Sequence, residues 1–142
     1  MCDKGGFDGA KMALFVGDRL AVILRDTFPG LPYPGYWDFP GGGREGDEGP
    51  FACVQRECRE ELSVPVAPDQ VVFRRSFDTG QRRNWFFVVR VGAAVRHHIR
   101  LGDEGQRWTL MKPATYMAHP KAVPMFQERL GIYLDGFHKA PR

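Results

Sequence analysis

The chain has 142 residues, enough for one compact domain with a hydrophobic core and too few for two ordinary domains and a linker. Hydrophobic residues make up 43% and charged residues 26%, which is typical of a globular protein and excludes a disordered or fibrous chain. The net charge of +3 comes without a long block of like charge, so a nucleic-acid-binding tail is not indicated. We expect a single domain over residues 1–142, with frayed ends at about 1–9 and 136–142.

The first part of the chain predicts a β-hairpin followed by a long loop. Apolar runs over residues 11–16 and 20–25 flank Gly17-Asp18, a dipeptide typical of hairpin turns. Residues 26–36 contain three prolines and two glycines, which exclude a helix or a central strand. A loop of this length is often functional.

A glycine-rich turn precedes the most regular predicted helix. Residues 37–39 form a short extended segment, and Pro40-Gly41-Gly42-Gly43 then predicts a turn, because glycine accepts turn conformations at the lowest cost. The helix is predicted to begin at Pro50 after Gly49 as its N-cap, and Pro65 and Pro68 mark its end. Apolar residues recur at helical spacing along it: Phe51, Val54, Cys58 and Leu62.

The rest of the chain predicts further strands and a final helix. The predicted strands cover residues 71–78, 84–91, 94–101 and 107–111. Residues 85–89 are apolar at every position, which is typical of a strand covered on both faces. A helix is predicted over residues 123–134. The sum is an α/β layered domain with a mixed sheet, a central helix and a C-terminal helix.

Targeting and redox features indicate a reducing compartment. No apolar run approaches the roughly 20 residues that a membrane helix needs, and the first residues lack the apolar core of a secretory signal. The three cysteines include no C-x-x-C pair, so neither a disulfide framework nor a zinc site is indicated. We therefore expect a cytoplasmic protein.

Three glutamates occupy one face of the predicted central helix. Glu57, Glu60 and Glu61 stand at positions i, i+3 and i+4, so their carboxylates emerge within one turn and repel one another. A hard divalent cation such as Mg²⁺ or Mn²⁺ would relieve that repulsion, since both ions prefer oxygen ligands. The alternative is a solvated face on which Arg56 and Arg59 form ion pairs with the glutamates.

The spacing around these glutamates resembles a known family motif. Gly42, Glu48 and the segment Arg56-Glu57-Cys58-Arg59-Glu60-Glu61-Leu62-Ser63-Val64 stand at the intervals of the Nudix box of Nudix (MutT-like) hydrolases. Cys58 replaces an aliphatic residue, and Ser63 replaces the glycine that would form a left-handed cap. The resemblance implies a Nudix-type α/β/α sandwich with a mixed β-sheet, a central carboxylate helix and a C-terminal helix.

The same resemblance implies roles for the box residues. Gly42, Glu57, Glu60 and Glu61 would bind Mg²⁺ or Mn²⁺, and Glu48 with Arg56 would form an internal pair that orients the loop against the helix. Metal ions lower the pKa of a bound water, which attacks phosphorus, so no nucleophilic side chain is needed.

A fourth carboxylate is predicted outside the box. The segment Gly102-Asp103-Glu104-Gly105-Gln106 resembles a loop found before a tryptophan in MutT-like enzymes, and Trp108 follows here. Glu104 would then be a further metal ligand or the base that deprotonates water, with Glu61 and Glu57 as rival bases. The alternative is a polar hairpin between two strands, because glycine, aspartate and glutamate are ordinary turn residues.

The substrate-binding residues are less clearly indicated. Aromatic residues in and after the proline-rich loop could stack on a base, and arginines could hold phosphate or ribose oxygens. The candidates are Arg25, Trp37, Phe39 and Arg83. For each of them, a role in the core or on the solvated surface is the alternative.

We expect a pyrophosphohydrolase that cleaves a nucleoside diphosphate linked to another moiety. A nucleoside triphosphate, ordinary or oxidised, yielding monophosphate and pyrophosphate is the leading substrate. Nucleotide sugars, dinucleoside polyphosphates and RNA caps are alternatives, as is a catalytically silent domain that binds a nucleotide. The partner is thus a small nucleotide derivative and not a membrane, and the sequence leaves a homodimer open.

Overall fold

The computed structural model of the chain describes residues 6–137, which contain seven strands, three α-helices and three short helical segments. The strands are β1 Gly9–Val16, β2 Arg19–Leu24, β3 Trp37–Asp38, β4 Gly41–Gly43, β5 Val71–Thr79, β6 Arg82–Val91 and β7 Arg107–Met111. The α-helices are α1 Pro50–Leu62, α2 Pro113–Ala118 and α3 Pro124–Ile132. Short helical segments cover Pro68–Gln70, Ala93–His98 and Tyr133–Phe137.

The strands form one mixed sheet centred on β1. Its order is β3-β2-β1-β6-β5, while β4 pairs with β1 and β7 pairs with β2. β1 and β6 run parallel over their full overlap, from Gly9 opposite Asn84 to Val16 opposite Val91, and the other strand pairs are antiparallel. The mixed sheet predicted from the sequence is therefore confirmed.

Helices cover both faces of the sheet, because successive side chains of a strand point to opposite sides. Met12 and Leu14 of β1 pack with the apolar stripe of α1 in one buried cluster. Ala13 and Phe15 pack on the opposite side, with the second cluster that contains α2 and α3 residues. The architecture is the expected α/β/α sandwich.

Helix α1 begins and ends close to where local signals predict. Gly49 is the extended N-cap and Pro50 the first helical residue, and the helix ends at Leu62. Ser63 then adopts the left-handed conformation, with φ 62° and ψ 28°, and its N–H donates to the Arg59 carbonyl at 3.0 Å. The serine thus forms the left-handed cap that glycine usually forms at the end of a helix.

Replacing Ser63 with glycine is expected to stabilise the protein. A non-glycine residue in the left-handed region costs roughly 1–2 kcal/mol, which exceeds the roughly 0.5–1 kcal/mol that glycine loses through its freedom in the unfolded chain. We expect Ser63→Gly to raise the free energy of unfolding by about 0.5–1 kcal/mol in urea denaturation. Ser63→Ala keeps the strained conformation and should give no gain. A Ser63→Gly protein less stable than the wild type would contradict the argument.

The predicted strand over residues 94–101 is wrong. Ala93–His98 is a 3-10 turn, and the chain after it runs along the end of α1. Arg100 N–H donates to the Leu62 carbonyl at 3.0 Å and Gly102 N–H donates to the Glu61 carbonyl at 2.9 Å. These two N–H groups thus bond to free carbonyls at the end of the helix, whereas in a strand they would bond to a neighbouring strand.

Three smaller differences from the sequence predictions concern short segments. Gly41–Gly43, predicted as a turn, is a strand paired with β1, and the six-residue helix α2 was not predicted. Residues 7–9, predicted to fray, belong to the fold, because Phe7 is buried and β1 begins at Gly9. The predicted frayed ends otherwise lie mostly outside the described residues. Within those residues, no helix is both long and apolar enough to span a membrane.

Candidate active site

Two glutamates of α1 lie against the glycine strand β4. The Gly41 N–H donates to Glu61 Oε1 at 2.9 Å, and a Cβ on Gly42 would collide with Glu57 Oε2. Gly41 has a φ of 138°, and a Cβ there would collide with the Ala10 carbonyl oxygen. Glycine at position 42 thus allows the close approach of β4 to α1, and glycine at position 41 allows the close approach of β4 to β1.

Burial makes the ionised form of these two carboxylates unfavourable. Burial is the main cause that raises the pKa of Glu61 to about 8, against the opposing charge of Lys11. Burial also raises the pKa of Glu57, and the neighbouring Glu60 adds to the effect while Arg56 opposes it. Glu60 itself is more exposed, at 56% of its side chain, and accepts a hydrogen bond from Arg56 Nη1 at 3.2 Å.

Arg56 joins the loop before α1 to the helix. Its guanidinium binds Glu48 through two hydrogen bonds, of 2.8 Å from Nη2 and 3.1 Å from Nε, and Nη2 also donates to the Gly43 carbonyl at 3.0 Å. The hydrogen bonds from Arg56 hold the pKa of Glu48 down at about 2. The structure thus brings together Glu48 and Arg56, the predicted internal pair.

Arg56 also faces the carboxylates of Glu57 at 3.5 Å and Glu60 at 3.2 Å. The i, i+4 ion pair of the alternative interpretation is therefore present. That interpretation nevertheless fails for Glu57 and Glu61, because both are largely buried against β4 instead of lying on a solvated face.

A cleft of about 200 Å³ lies beside the carboxylate helix. Glu61 of α1 and Glu104 of the loop before β7 both line it. Its other lining residues include Arg25, Asp26, Phe28, Asp38 and Phe39. Glu61 and Glu104, which are 43 positions apart in the sequence, therefore line the same cleft.

The loop that carries Glu104 is fixed on both sides of that residue. Gly102 lies so close to α1 that a Cβ would collide with the Glu60 carbonyl oxygen, and its N–H binds the Glu61 carbonyl. Gly105 N–H donates to the Asp26 carboxylate at 2.9 Å. The predicted alternative of a hairpin between two strands is wrong, since the preceding segment is no strand.

Sequence reasoning missed Asp38, a buried carboxylate at the cleft. Its Oδ2 atom lies 3.0 Å from Lys11 Nζ and 2.8 Å from Arg25 Nη1, and the residue is only 6% exposed. A cation at position 11 within an otherwise apolar strand run was the available signal, because a charge in such a position needs a partner.

A comparison with known protein families shows to which family the chain belongs. The family model described as NUDIX domain matches residues 8–129, which is most of the chain. The chain belongs to the Nudix family. It is a Nudix hydrolase, of the family that acts on pyrophosphate bonds and generally uses divalent metals.

Relatives of known name are consistent with this membership. An RNA pyrophosphohydrolase from Acidiphilium cryptum (strain JF-5) is 29% identical over 150 residues, covering 92% of this chain and 90% of the relative. The crystal structure of a MutT protein from Methanosarcina mazei Go1 superposes with a TM-score of 0.73 at 16% identity, covering 93% and 94% of the two chains. A C. elegans Ap4A hydrolase gives 0.66 at 14% identity, covering 91% and 99%. These structures support the fold alone.

The donor set of the Nudix box fits a hard divalent cation. All the candidate ligands are oxygens, and two of the carboxylates are costly to ionise without a compensating positive charge. Across residues 6–137, no three carboxylate, imidazole or thiolate side chains are already gathered around one point. Glu60 and Glu61 instead bind protein groups, Arg56 and Gly41 respectively.

The four predicted substrate residues of the Nudix hydrolase lie in different places. Arg25 lines the cleft, where it pairs with Asp38. Trp37 is only 8% exposed in the core, so its ring is not free to stack on a base. Phe39 lines the cleft but is 1% exposed, because its ring stacks on Tyr116 at 4.7 Å. Arg83 lies on β6 and pairs with Asp78 at 2.9 Å, away from the residues that line the cleft.

Proposed function

We propose that this Nudix hydrolase cleaves the pyrophosphate bond of a nucleoside diphosphate linked to another moiety, with Mg²⁺ or Mn²⁺ as its cofactor. The leading substrate is a nucleoside triphosphate, which would yield a monophosphate and pyrophosphate. The observation that carries the proposal is the cleft that Glu61 of the box and Glu104 share with Arg25. Such a reaction needs carboxylates that bind the metal ions and, beside them, a positively charged side chain that binds phosphate.

The residues would divide the work as follows. Gly42, Glu57, Glu60, Glu61 and Glu104 would hold divalent cations, which, when bound, neutralise charge on the anhydride and lower the pKa of the attacking water. The Gly41 N–H orients Glu61, and Arg56 orients Glu60. Arg25 would face the phosphate oxygens, and it also joins Asp38 to the Pro32 carbonyl.

The proposal is tested by a panel of substrates with Mg²⁺ and with Mn²⁺. The panel contains ordinary and oxidised nucleoside triphosphates, a nucleotide sugar, a dinucleoside polyphosphate and a capped RNA. The reaction is run in ¹⁸O-labelled water, and mass spectrometry identifies the products. The product that carries the ¹⁸O label shows which phosphorus the water attacks. Turnover of none of these substrates with either ion would contradict the proposal.

A second candidate substrate is RNA with a 5′-triphosphate. The relative from Acidiphilium cryptum is named an RNA pyrophosphohydrolase. In addition, Phe28 is 67% exposed and lines the cleft, and Tyr33 of the same loop is 43% exposed. Exposed aromatic rings are platforms on which successive bases stack. A higher kcat/KM for a short 5′-triphosphorylated RNA than for the matching free nucleotide would favour this candidate.

Glu104 is expected to contribute to rate without being indispensable. Glu61 lines the same cleft, so a second carboxylate can partly replace Glu104, whether Glu104 acts as a metal ligand or as the base. We expect Glu104→Gln to lower kcat by about ten- to a hundredfold, which is at or below the low end of general-base effects because of this partial replacement. Asp103→Asn, next to it in the same loop, serves as the matched control and should keep wild-type kcat. Equal activity of Glu104→Gln and wild type across the pH range would remove Glu104 from the site.

A further inference from the structure

Arg129 of α3 is a buried arginine with no hydrogen-bond or ion-pair partner among residues 6–137. Arg129 is only 3% exposed and lies on the helix face that also buries Phe126 and Leu130. Its guanidinium stacks over the Phe77 ring at 4.5 Å. Burial lowers the pKa of the guanidinium, while the charge of the neighbouring Glu128 opposes that effect. Trp85 Nε1 is the only fully buried side-chain polar atom without a partner among residues 6–137, so the Arg129 nitrogens keep a narrow contact with solvent, where this poorly solvated charge favours an anion beside it.

Arg129 faces a second cavity, of about 190 Å³, with other donors around it. The cavity residues with the relevant chemistry are Asp8, Lys11, Arg82, Asn84 and Arg129. Asp8 is the single carboxylate among the lining residues, and its Oδ2 already accepts the Arg83 N–H at 2.8 Å. Neither Asp8 nor another carboxylate of residues 6–137 lies within ion-pair distance of Arg82 or Arg129. The cavity therefore carries positive charge in excess.

The second cavity adjoins the active site. Gly42 of the Nudix box forms part of its wall, and the same glycine lies against Glu57. Lys11 also lines the cavity, while its ammonium lies 3.0 Å from Asp38, which lines the first cleft. A ligand held at Gly42 therefore has space on this side as well as in the first cleft.

We propose that the second cavity binds a phosphate group, held by Arg129 with Arg82 and the Asn84 amide. A guanidinium offers parallel N–H donors in a fixed plane, which match two oxygens of a phosphate, and the stack on Phe77 limits its rotation. The phosphate is a second one, on the part of the substrate that is not cleaved. This last step rests on the proposed function, whereas the binding site itself does not.

Binding of inorganic phosphate to the metal-free protein tests the site. Calorimetric titration in the presence of a chelator removes any contribution from metal ions in the active site. We expect the wild type to bind phosphate, and Arg129→Met and Arg82→Met to bind it at least about tenfold more weakly, because each loses a charge-assisted hydrogen bond. Arg90→Met is the matched control, since Arg90 stacks on Phe15 at 4.1 Å but lies outside the cavity. No binding by the wild type, or unchanged binding by Arg129→Met, would overturn the proposal.

The melting temperature separates a ligand site from a structural arginine. If Arg129 is kept for a ligand, Arg129→Met removes a poorly solvated charge and raises the melting temperature of the phosphate-free protein. Phosphate should then stabilise the wild type and not the variant. A lower melting temperature of Arg129→Met together with an unchanged response to phosphate would show that Arg129 serves packing on Phe77 alone.

Kinetics decide whether the phosphate belongs to the substrate. A nucleoside 5′-triphosphate with a 3′-phosphate is compared with the same nucleotide lacking it. Arg129→Met should raise KM about tenfold for the first and leave it unchanged for the second, with kcat retained for both. Equal KM effects would overturn the assignment to the substrate, while the binding titration remains valid even if neither nucleotide is hydrolysed.

Discussion

The Glu60→Gln variant is expected to lose pyrophosphohydrolase activity by about 10²- to 10³-fold and to keep its melting temperature. The amide retains an oxygen that can accept the hydrogen bond from Arg56, so the fold loses little. What it loses is the negative charge at a side chain that is 56% exposed at the site. The variant lacks a negative charge that would bind the divalent cation, so we expect a lower kcat with Mg²⁺ and with Mn²⁺.

Glu45→Gln is the matched control for this experiment. Glu45 Oε2 lies 3.4 Å from the same Arg56 Nη1 atom, yet its side chain is 71% exposed and lies outside the predicted ligand set. Both variants remove one carboxylate from the same guanidinium, so only Glu60→Gln should lose activity. Full activity of Glu60→Gln, or an equal loss in both variants, would refute the metal-ligand assignment of Glu60.

Among the variants considered, Arg56→Met is expected to show the largest decrease in the free energy of unfolding. Arg56 and Glu48 are 17% and 16% exposed in their side chains, so removing the guanidinium leaves a mostly buried carboxylate without its partner. The repulsion among Glu48, Glu57 and Glu60 is then unopposed. Breaking a buried pair costs roughly 3–5 kcal/mol, and we expect about 3 kcal/mol here because the pair is not fully buried. Urea denaturation of Arg56→Met beside Arg59→Met, an exposed arginine of the same helix, measures it.

The pH dependence of this loss follows from Glu48. Its pKa is about 2 in the folded protein, below its ordinary value of 4.5, so its contribution to stability is present above about pH 4.5 and is lost as the pH falls towards 2. The stability difference between wild type and Arg56→Met should therefore shrink over that range. A difference that stays constant from about pH 5 to about pH 3 would mean that the Glu48 ion pair is not its source.

Local signals in the sequence were sufficient for the carboxylate helix. Gly49, Pro50 and the apolar stripe predict its beginning and its buried face, because capping and periodicity act over a few neighbouring residues. The spacing of the Nudix box then predicts the residues that the fold places against β4. The left-handed serine cap is the detail that the motif did not reveal, since the family's glycine is absent.

Features that depend on distant partners were not predictable in the same way. Lys11 and Asp38 are 27 positions apart, and their pairing depends on how β1, β2 and β3 meet in the sheet. In residues 94–101, the N–H groups of Val95 and Ile99 bond locally and that of Arg100 bonds to the Leu62 carbonyl at the end of α1, so no strand forms. Arg129 interrupts an otherwise ordinary helical stripe, and only packing shows that it is buried.

The attachment of residues 100–105 to the end of α1 determines where the chain tolerates insertions and deletions. The N–H groups of Arg100 and Gly102 bond to the last carbonyls of α1 and thereby fix the position of Glu104. An insertion or deletion between Leu62 and Glu104 is therefore tolerated only if it preserves these two hydrogen bonds. The loop over residues 26–36 has a mostly exposed tip, and lengthening that tip leaves this attachment untouched. Homologues that differ in substrate can therefore vary widely in the length of the 26–36 loop, whereas the segment from Arg100 to Gly105 should keep its length.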